Sequence, residues 1–92
     1  MPPGFDLERR YGLHPQVAVR PEPFGALLYH FGTRRLSFLK DPRLLAVVRG
    51  LADAPTAHAA CTAAGVTERE LPAYTRALET LADAQMIRER AA

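Results

Sequence analysis

The fold is decided by residues 24–40, which read FGALLYHFGTRRLSFLK. Two runs of strand-forming residues, 24–31 and 34–40, flank Gly32 and Thr33. A Gly-X pair between such runs is typical of a two-residue type II′ turn, in which the glycine adopts a positive φ. The sequence therefore predicts an antiparallel hairpin.

The predicted turn also sets the register of the hairpin. The cross-strand pairs are Tyr29 with Leu36, Leu27 with Phe38, Phe31 with Arg34, Leu28 with Ser37, Ala26 with Leu39 and His30 with Arg35. Because side chains alternate between the two faces of a strand, the first two pairs share one strongly apolar face. We expect that face to cover the core, whereas the face that carries the last three pairs is mixed.

A third strand and three helices flank this hairpin. Residues 16–20 form a short strand that ends at Pro21, since proline cannot donate to a ladder. Helices are predicted at about 42–52, 56–64 and 68–84. Asp41 before Pro42 is an N-cap, and Thr67 with Glu70 matches a capping box. Pro72 leaves two alternatives, a third helix that begins there or an irregular first turn.

The order of these elements predicts an α+β fold. A three-stranded antiparallel sheet is followed by three helices, an arrangement like that of winged helix-turn-helix modules. Residues 1–12 are predicted to be an N-terminal arm, and residues 13–92 a single domain. Met86 and Ile87 belong either to a last helical turn or to a short strand.

Size and composition limit the class of protein. The chain has 92 residues with 48% hydrophobic residues, which is enough for one modest core. The single cysteine excludes an internal disulfide, and no apolar run approaches the length of a membrane span. We therefore expect a cytoplasmic protein that has no membrane partner.

Catalytic and metal-binding patterns are missing from the sequence. It contains no GxGxxG or GxxxxGK loop and no CxxC pair. His58 and Cys61 stand three residues apart on a predicted helix, but a structural zinc site needs four ligands. We interpret them as part of a helix face of small residues, and we expect neither an enzyme nor a bound cofactor or metal.

A winged-helix DNA-binding regulator is the alternative function. Its recognition helix would be the third helix, with acidic residues Glu68, Glu70, Glu79 and Asp83 against Arg69 and Arg76. Because phosphates would repel this surplus of carboxylates, and the net charge is only +2, we do not expect nucleic acid as the partner.

A binding module is the favoured function. The strand at 34–40 lies at the edge of the predicted sheet, so its outer N–H and C=O groups have no partner. With the third helix beside it, this edge would accept an extended peptide as a fourth strand. Arg34, Arg35 and Lys40 would favour an acidic guest, or they serve only to discourage aggregation at the edge. The same edge would also allow a homodimer.

Two segments carry a resemblance to a known family. Residues 14–29, HPQVAVRPEPFGALLY, and residues 32–39, GTRRLSFL, resemble the mycofactocin peptide-binding chaperones. These are similar to the precursor-recognition domains of ribosomally made peptide pathways, which include the pyrroloquinoline quinone chaperone. The resemblance implies a non-catalytic chaperone that binds the leader of a precursor peptide and presents it to a radical S-adenosylmethionine enzyme.

The resemblance also implies the binding residues. In such domains the leader adds to the third strand of the sheet and lies against the third helix. The positions in this sequence are Arg34, Arg35, Leu36, Ser37, Phe38 and Leu39 on the strand, and Leu71, Tyr74, Thr75 and Leu78 on the helix. For docking of the enzyme we predict either the mixed face, through Leu28 and His30, or the N-terminal arm.

Overall fold

The computed structural model describes residues 5–90, which contain five strands and three α-helices. In chain order they are β1 (Tyr11–Leu13), β2 (Val17–Glu22), β3 (Gly25–His30), β4 (Leu36–Leu39), α1 (Pro42–Gly50), α2 (Ala57–Ala63), α3 (Leu71–Asp83) and β5 (Ile87–Glu89). Strands β2, β3 and β4 form an antiparallel sheet in that order, and β1 pairs with β5 in a second sheet. The predicted α+β class, with its three-stranded sheet and three helices, is confirmed.

The β3–β4 hairpin has the predicted register, with Tyr29 opposite Leu36 and Leu27 opposite Phe38. The type II′ turn is wrong, because the positive φ in this loop belongs to Arg34, at 63°, and not to glycine. The His30 N–H donates to the Arg35 carbonyl at 3.0 Å, which leaves a four-residue loop, 31–34. A two-residue and a four-residue loop with the same centre give identical pairs, so the register is unaffected.

His30 determines the shape of this loop. Its Nδ1 accepts hydrogen bonds from the N–H groups of Gly32 at 3.0 Å and Thr33 at 3.1 Å. A Cβ on residue 32 would lie 2.9 Å from His30 Cε1. Glycine is therefore needed here for space rather than for a positive φ.

The two faces of the three-stranded sheet are exchanged relative to the prediction. The inner face, formed by Ala26, Leu28, His30 and Leu39, is buried in the core. The outer face, formed by Leu27, Tyr29, Leu36 and Phe38, is partly open to solvent.

Exposure and packing both support this exchange. Leu36 is 57% exposed and Phe38 is 59% exposed, so the prediction that they face the core is wrong. The covering element is α1, which contacts β3 on the inner side. Val17 and Val19 pair with His30 and Leu28 and pack on the same side. The apolar character of one hairpin face did not decide which face the helices cover.

The predicted capping contacts are present, although each helix is shorter than predicted. The Asp41 carboxylate accepts from the Arg43 N–H at 2.9 Å and caps α1. Thr67 and Glu70 form the reciprocal bonds of a capping box ahead of α3. Because α3 begins at Leu71, Pro72 lies in its first turn, where no intrahelical N–H is lost.

The described part of the predicted N-terminal arm, residues 5–12, packs against the rest of the fold. Tyr11 is buried in β1, and the ring of Phe5 lies 4.6 Å from the Tyr11 ring. Strand β1 pairs with β5, which resolves the alternative at Ile87 in favour of a strand. The Arg90 guanidinium donates hydrogen bonds to the carbonyls of Tyr11, Leu51 and Ala54, which link this sheet to the segment that follows α1. Residues 1–4 of the predicted arm lie outside the described residues.

No helix in residues 5–90 has the length and apolar character that crossing a bilayer requires.

Candidate functional site

Strand β4 has one neighbour in the sheet and one open edge. It pairs with β3 over Leu36–Leu39, and no other strand within residues 5–90 pairs with it. The last described strand, β5, pairs with β1 instead. The outer edge of β4 is therefore not filled by the described C-terminal segment.

The register shows which backbone groups face that edge. The bond from His30 N–H to the Arg35 carbonyl makes these two residues a hydrogen-bonded pair. Such pairs alternate along an antiparallel ladder, so Ser37 and Leu39 also direct their N–H and C=O groups toward β3. The N–H and C=O groups of Leu36 and Phe38 consequently point to the open edge.

A groove runs between this edge and α3. It consists of two adjoining depressions of about 410 Å³ and about 210 Å³. The residues that line one or both are Leu36, Ser37, Phe38, Leu39, Lys40, Asp41, Leu44, Ala73, Tyr74, Ala77, Thr80 and Leu81. The α3 side is formed largely by small side chains, which leave room beside β4 for the side chains of an added segment.

One end of the groove is held by a polar cluster. The Tyr74 hydroxyl donates to Asp41 Oδ2, and the Arg43 guanidinium binds Glu70 at 2.8 Å and lies 5.7 Å from the centre of the Tyr74 ring. Burial and the Asp41 hydrogen bond raise the pKa of Tyr74 to about 12, so the phenol is neutral at physiological pH. Hydrogen bonds from the Thr67 N–H and from Arg43 hold the pKa of Glu70 below its ordinary value.

These contacts connect the start of α1 to α3. Asp41 and Glu70 are thereby engaged with partners within the fold. By contrast, Arg34, Arg35 and Lys40 are exposed and form no ion pair within residues 5–90. The strand side of the groove is therefore positively charged.

The structure brings together the predicted strand residues and one predicted helix residue. Leu36, Ser37, Phe38 and Leu39 line the groove, as does Tyr74. Arg34 and Arg35 stand at the start of the edge.

Three predicted helix residues point elsewhere. Leu78 is fully buried in the core, and Leu71 packs partly against that core. The Thr75 hydroxyl donates to the Leu71 carbonyl at 2.8 Å. None of the three lines the groove, and their contact with a leader stays a prediction.

The helix residues that do line the groove were missed by the sequence analysis. Ala73, Ala77 and Thr80 follow one another at intervals of four and three residues, the spacing of one helix face. The signal was this row of small side chains. The large apolar side chains of Leu71 and Leu78 pack against or into the core, and Tyr74 alone of the predicted helix residues also lines the groove.

The predicted docking residues Leu28 and His30 are 0% and 2% exposed. Side chains buried to this degree present no surface to a partner, so this docking prediction is wrong. His30 instead holds the β3–β4 loop through Nδ1, while its Nε2 has no hydrogen-bond partner among residues 5–90.

The described residues offer no cluster that could hold a metal ion. Residues 5–90 contain no group of three or more histidine, cysteine or carboxylate side chains close enough to hold a metal ion. Cys61 is buried, and burial raises the pKa of its thiol, which disfavours the reactive thiolate.

An open strand edge beside a helix-lined groove is a feature that some α+β domains use to bind extended peptides. Comparison with known sequences then gives the family. The chain belongs to the Peptide chaperone MftB family, whose profile matches residues 10–88. This membership confirms the resemblance to the mycofactocin chaperones and agrees with the expectation that the chain is not an enzyme.

Individual relatives support the same family. A protein named Peptide chaperone MftB from Mycobacterium ulcerans is 61% identical over 83 residues, which cover 90% of this chain and 76% of that protein. A protein of the same name from Mycolicibacterium smegmatis is 54% identical over 83 residues, or 90% of this chain and 81% of that protein. No solved structure matches significantly, so the likeness to winged helix-turn-helix modules stays a prediction.

Proposed function

We propose that this protein is a cytoplasmic peptide chaperone of mycofactocin biosynthesis. It binds the leader of a ribosomally made precursor peptide as a fourth strand on β4 and presents the peptide to a radical S-adenosylmethionine enzyme. Membership in a peptide-chaperone family supports the general role. The observation that carries the binding mode is the open β4 edge beside the groove.

The hydrogen-bonding capacity of the edge fits an added strand. The N–H and C=O groups of Leu36 and Phe38 provide two donors and two acceptors toward the guest. Each backbone bond contributes about 1 kcal/mol net, so the ladder mainly sets the register of the guest.

The groove would supply specificity. In an added strand, alternate side chains point to opposite faces of the sheet. Those on the inner side would enter the groove over Ala77 and Thr80, and those on the outer side would lie next to Leu36 and Phe38. The predicted guest is therefore a short extended segment with apolar side chains at alternate positions.

Charge would select among such segments. Arg34, Arg35 and Lys40 flank the edge, whereas Asp41 is engaged with Tyr74. The predicted leader consequently carries carboxylates next to its apolar segment.

The chemistry of the pathway would belong to the partner enzyme. Iron–sulfur clusters of the kind that radical S-adenosylmethionine enzymes carry are held by several cysteine thiolates, and this chain has one cysteine, which is buried. The chaperone itself would contribute binding and positioning only.

The first test compares two substitutions at one residue. Phe38→Ala removes the ring and keeps the outward N–H, whereas Phe38→Pro also removes that donor without touching the β3 ladder. We expect Phe38→Pro to bind a synthetic leader about tenfold more weakly than Phe38→Ala, measured by calorimetry on variants with native circular dichroism. Equal affinities would contradict strand addition at this edge.

Hydrogen exchange supplies an independent test. The amides of Leu36 and Phe38 point outward and should exchange rapidly in the free protein, whereas those of Ser37 and Leu39 are bonded to β3. Leader binding should slow exchange at Leu36 and Phe38 and change Ser37 little. Protection confined to another element would place the guest elsewhere.

A further inference from the structure

The outer face of the sheet continues into an exposed aromatic patch. Phe31 in the β3–β4 loop is 61% exposed, and its ring contacts the Tyr29 ring edge-on, with 5.0 Å between centroids. We name as the outer patch the side chains of Leu27, Tyr29, Phe31, Leu36 and Phe38. It lies on the side of the sheet away from α1 and does not line the groove except at Leu36 and Phe38.

We propose that the outer patch docks the enzyme that modifies the guest peptide, and that this partner presents an apolar surface bordered by carboxylates. The inference rests on the proposed function and identifies a surface separate from the groove. Three arguments select this occupant: the charge around the patch, its area, and its continuity with the guest edge.

Charge argues against a second copy of this chain as the occupant. Residues 17–40 contain four basic residues, Arg20, Arg34, Arg35 and Lys40, and one acidic residue, Glu22. Glu22 is engaged with Arg20 at 2.9 Å. Two copies facing each other would bring arginines against arginines, whereas a partner with carboxylates around an apolar centre would complement the patch.

Area argues for a transient partner rather than a permanent one. Three large side chains that are each more than half exposed present roughly 300 Å² of apolar surface, the size of patches that mark interaction sites. A stable dimer buries about 800 Å² on each partner. The patch alone is too small for that, so further contact surface must come from elsewhere.

Continuity with the β4 edge indicates where the remaining contact lies. Leu36 and Phe38 direct their backbone groups toward the guest strand and their side chains into the outer patch. A guest strand would therefore extend the patch by one strand. The enzyme would contact chaperone and guest side chains together and bind the loaded chaperone more tightly than the empty one.

The test separates enzyme docking from leader binding. Phe31→Ser removes the most exposed ring of the patch and lies outside the β4 ladder. The matched control is Phe24→Ser, which removes another exposed phenylalanine, 46% exposed, at the opposite end of β3. Tyr29→Ser is a second patch variant if Phe31→Ser does not fold.

Each variant is titrated with the purified radical S-adenosylmethionine enzyme, with and without a synthetic leader, and separately with the leader alone. We expect Phe31→Ser to weaken enzyme binding about tenfold, with leader affinity unchanged within twofold. Phe24→Ser should change neither.

Four results would overturn the docking proposal. The first two are enzyme binding by Phe31→Ser at wild-type strength and an equal loss of enzyme binding in the Phe24→Ser control. The third is that Phe31→Ser loses leader binding and enzyme binding in parallel. The fourth is that the enzyme does not bind the wild-type chaperone even when the chaperone is loaded with leader. The last result would also remove the enzyme from the proposed function, while leader binding would stand on its own titration.

Charge provides a second readout. Arg20→Glu should slow enzyme association and reduce its salt dependence, because Arg20 borders the patch directly opposite Leu27. Arg88→Glu makes the same change of charge on the other sheet and should leave association unchanged. An equal effect of both variants would show that net charge, not this patch, steers the enzyme, and would count against the proposal.

Discussion

Both faces of the three-stranded sheet carry large apolar side chains, yet only one face is buried by the described part of the chain. Leu28 and Leu39 on the inner face are covered by α1, whereas Leu36 and Phe38 on the outer face are more than half exposed. The more aromatic face is the open one. An apolar strand face therefore predicts burial, but the surface that buries it is not always part of the same chain.

The largest expected contrast between the faces is in stability. Leu28→Ala should lower the free energy of unfolding by about 2–5 kcal/mol, because it leaves a cavity in the core. Leu36→Ala removes the same atoms from the outer face and should change the free energy of unfolding by no more than about 0.5 kcal/mol. Urea-induced unfolding followed by circular dichroism measures the stability of both variants. Equal losses of stability would contradict the difference between the two faces.

A smaller loss of stability is expected from a change at His30, which also lies on the inner face of the sheet. Its side chain is buried at 2% exposure, and its Nδ1 accepts hydrogen bonds from two backbone N–H groups of the β3–β4 loop. His30→Ala should cost about 2–3 kcal/mol, since these donors lose their acceptor and a small cavity forms.

The control for His30 is its cross-strand neighbour. Arg35→Ala changes an exposed side chain and should leave stability nearly unchanged. If His30→Ala were as stable as the wild type, the loop would not depend on the inner face.

The smallest effect concerns the helix side of the groove. Tyr74→Phe removes the hydrogen bond to Asp41 and should cost about 1 kcal/mol at neutral pH. Because the folded state raises the pKa of Tyr74 from 10.0 to about 12, its hydroxyl stabilises the fold below pH 10.0, and this contribution is lost as the pH rises toward 12. Wild type should lose more stability than Tyr74→Phe over that interval in urea unfolding, and parallel curves would contradict the hydrogen bond.

Local rules predicted most of the elements. Asp41 before Pro42 and the pair Thr67 and Glu70 marked helix starts, because capping involves residues only a few positions apart. The register of β3 and β4 followed from the centre of the loop, although the loop itself was longer than predicted. Strand β1 was missed, because its partner β5 is more than seventy residues away in the chain.

The candidate site was predicted in part. The strand residues Leu36–Leu39 were identified because an edge follows from strand order alone. On α3, a large apolar row and a small-residue row both run at helical spacing, and the sequence does not say which row meets the core. The resemblance implies Leu78 as a binding residue, whereas the structure buries Leu78 and places Ala77 in the groove.

The sequence by itself determined the pairing of β3 with β4, the capping residues of α1 and α3 and the family, since each depends on residue identities at fixed separations along the chain. Only the tertiary structure decided which sheet face became the core and which became a surface. Two apolar faces compete for the few helices that a chain of 92 residues provides. The outcome depends on which side of β3 and β4 α1 packs against, and a side-chain pattern within one hairpin does not contain that information.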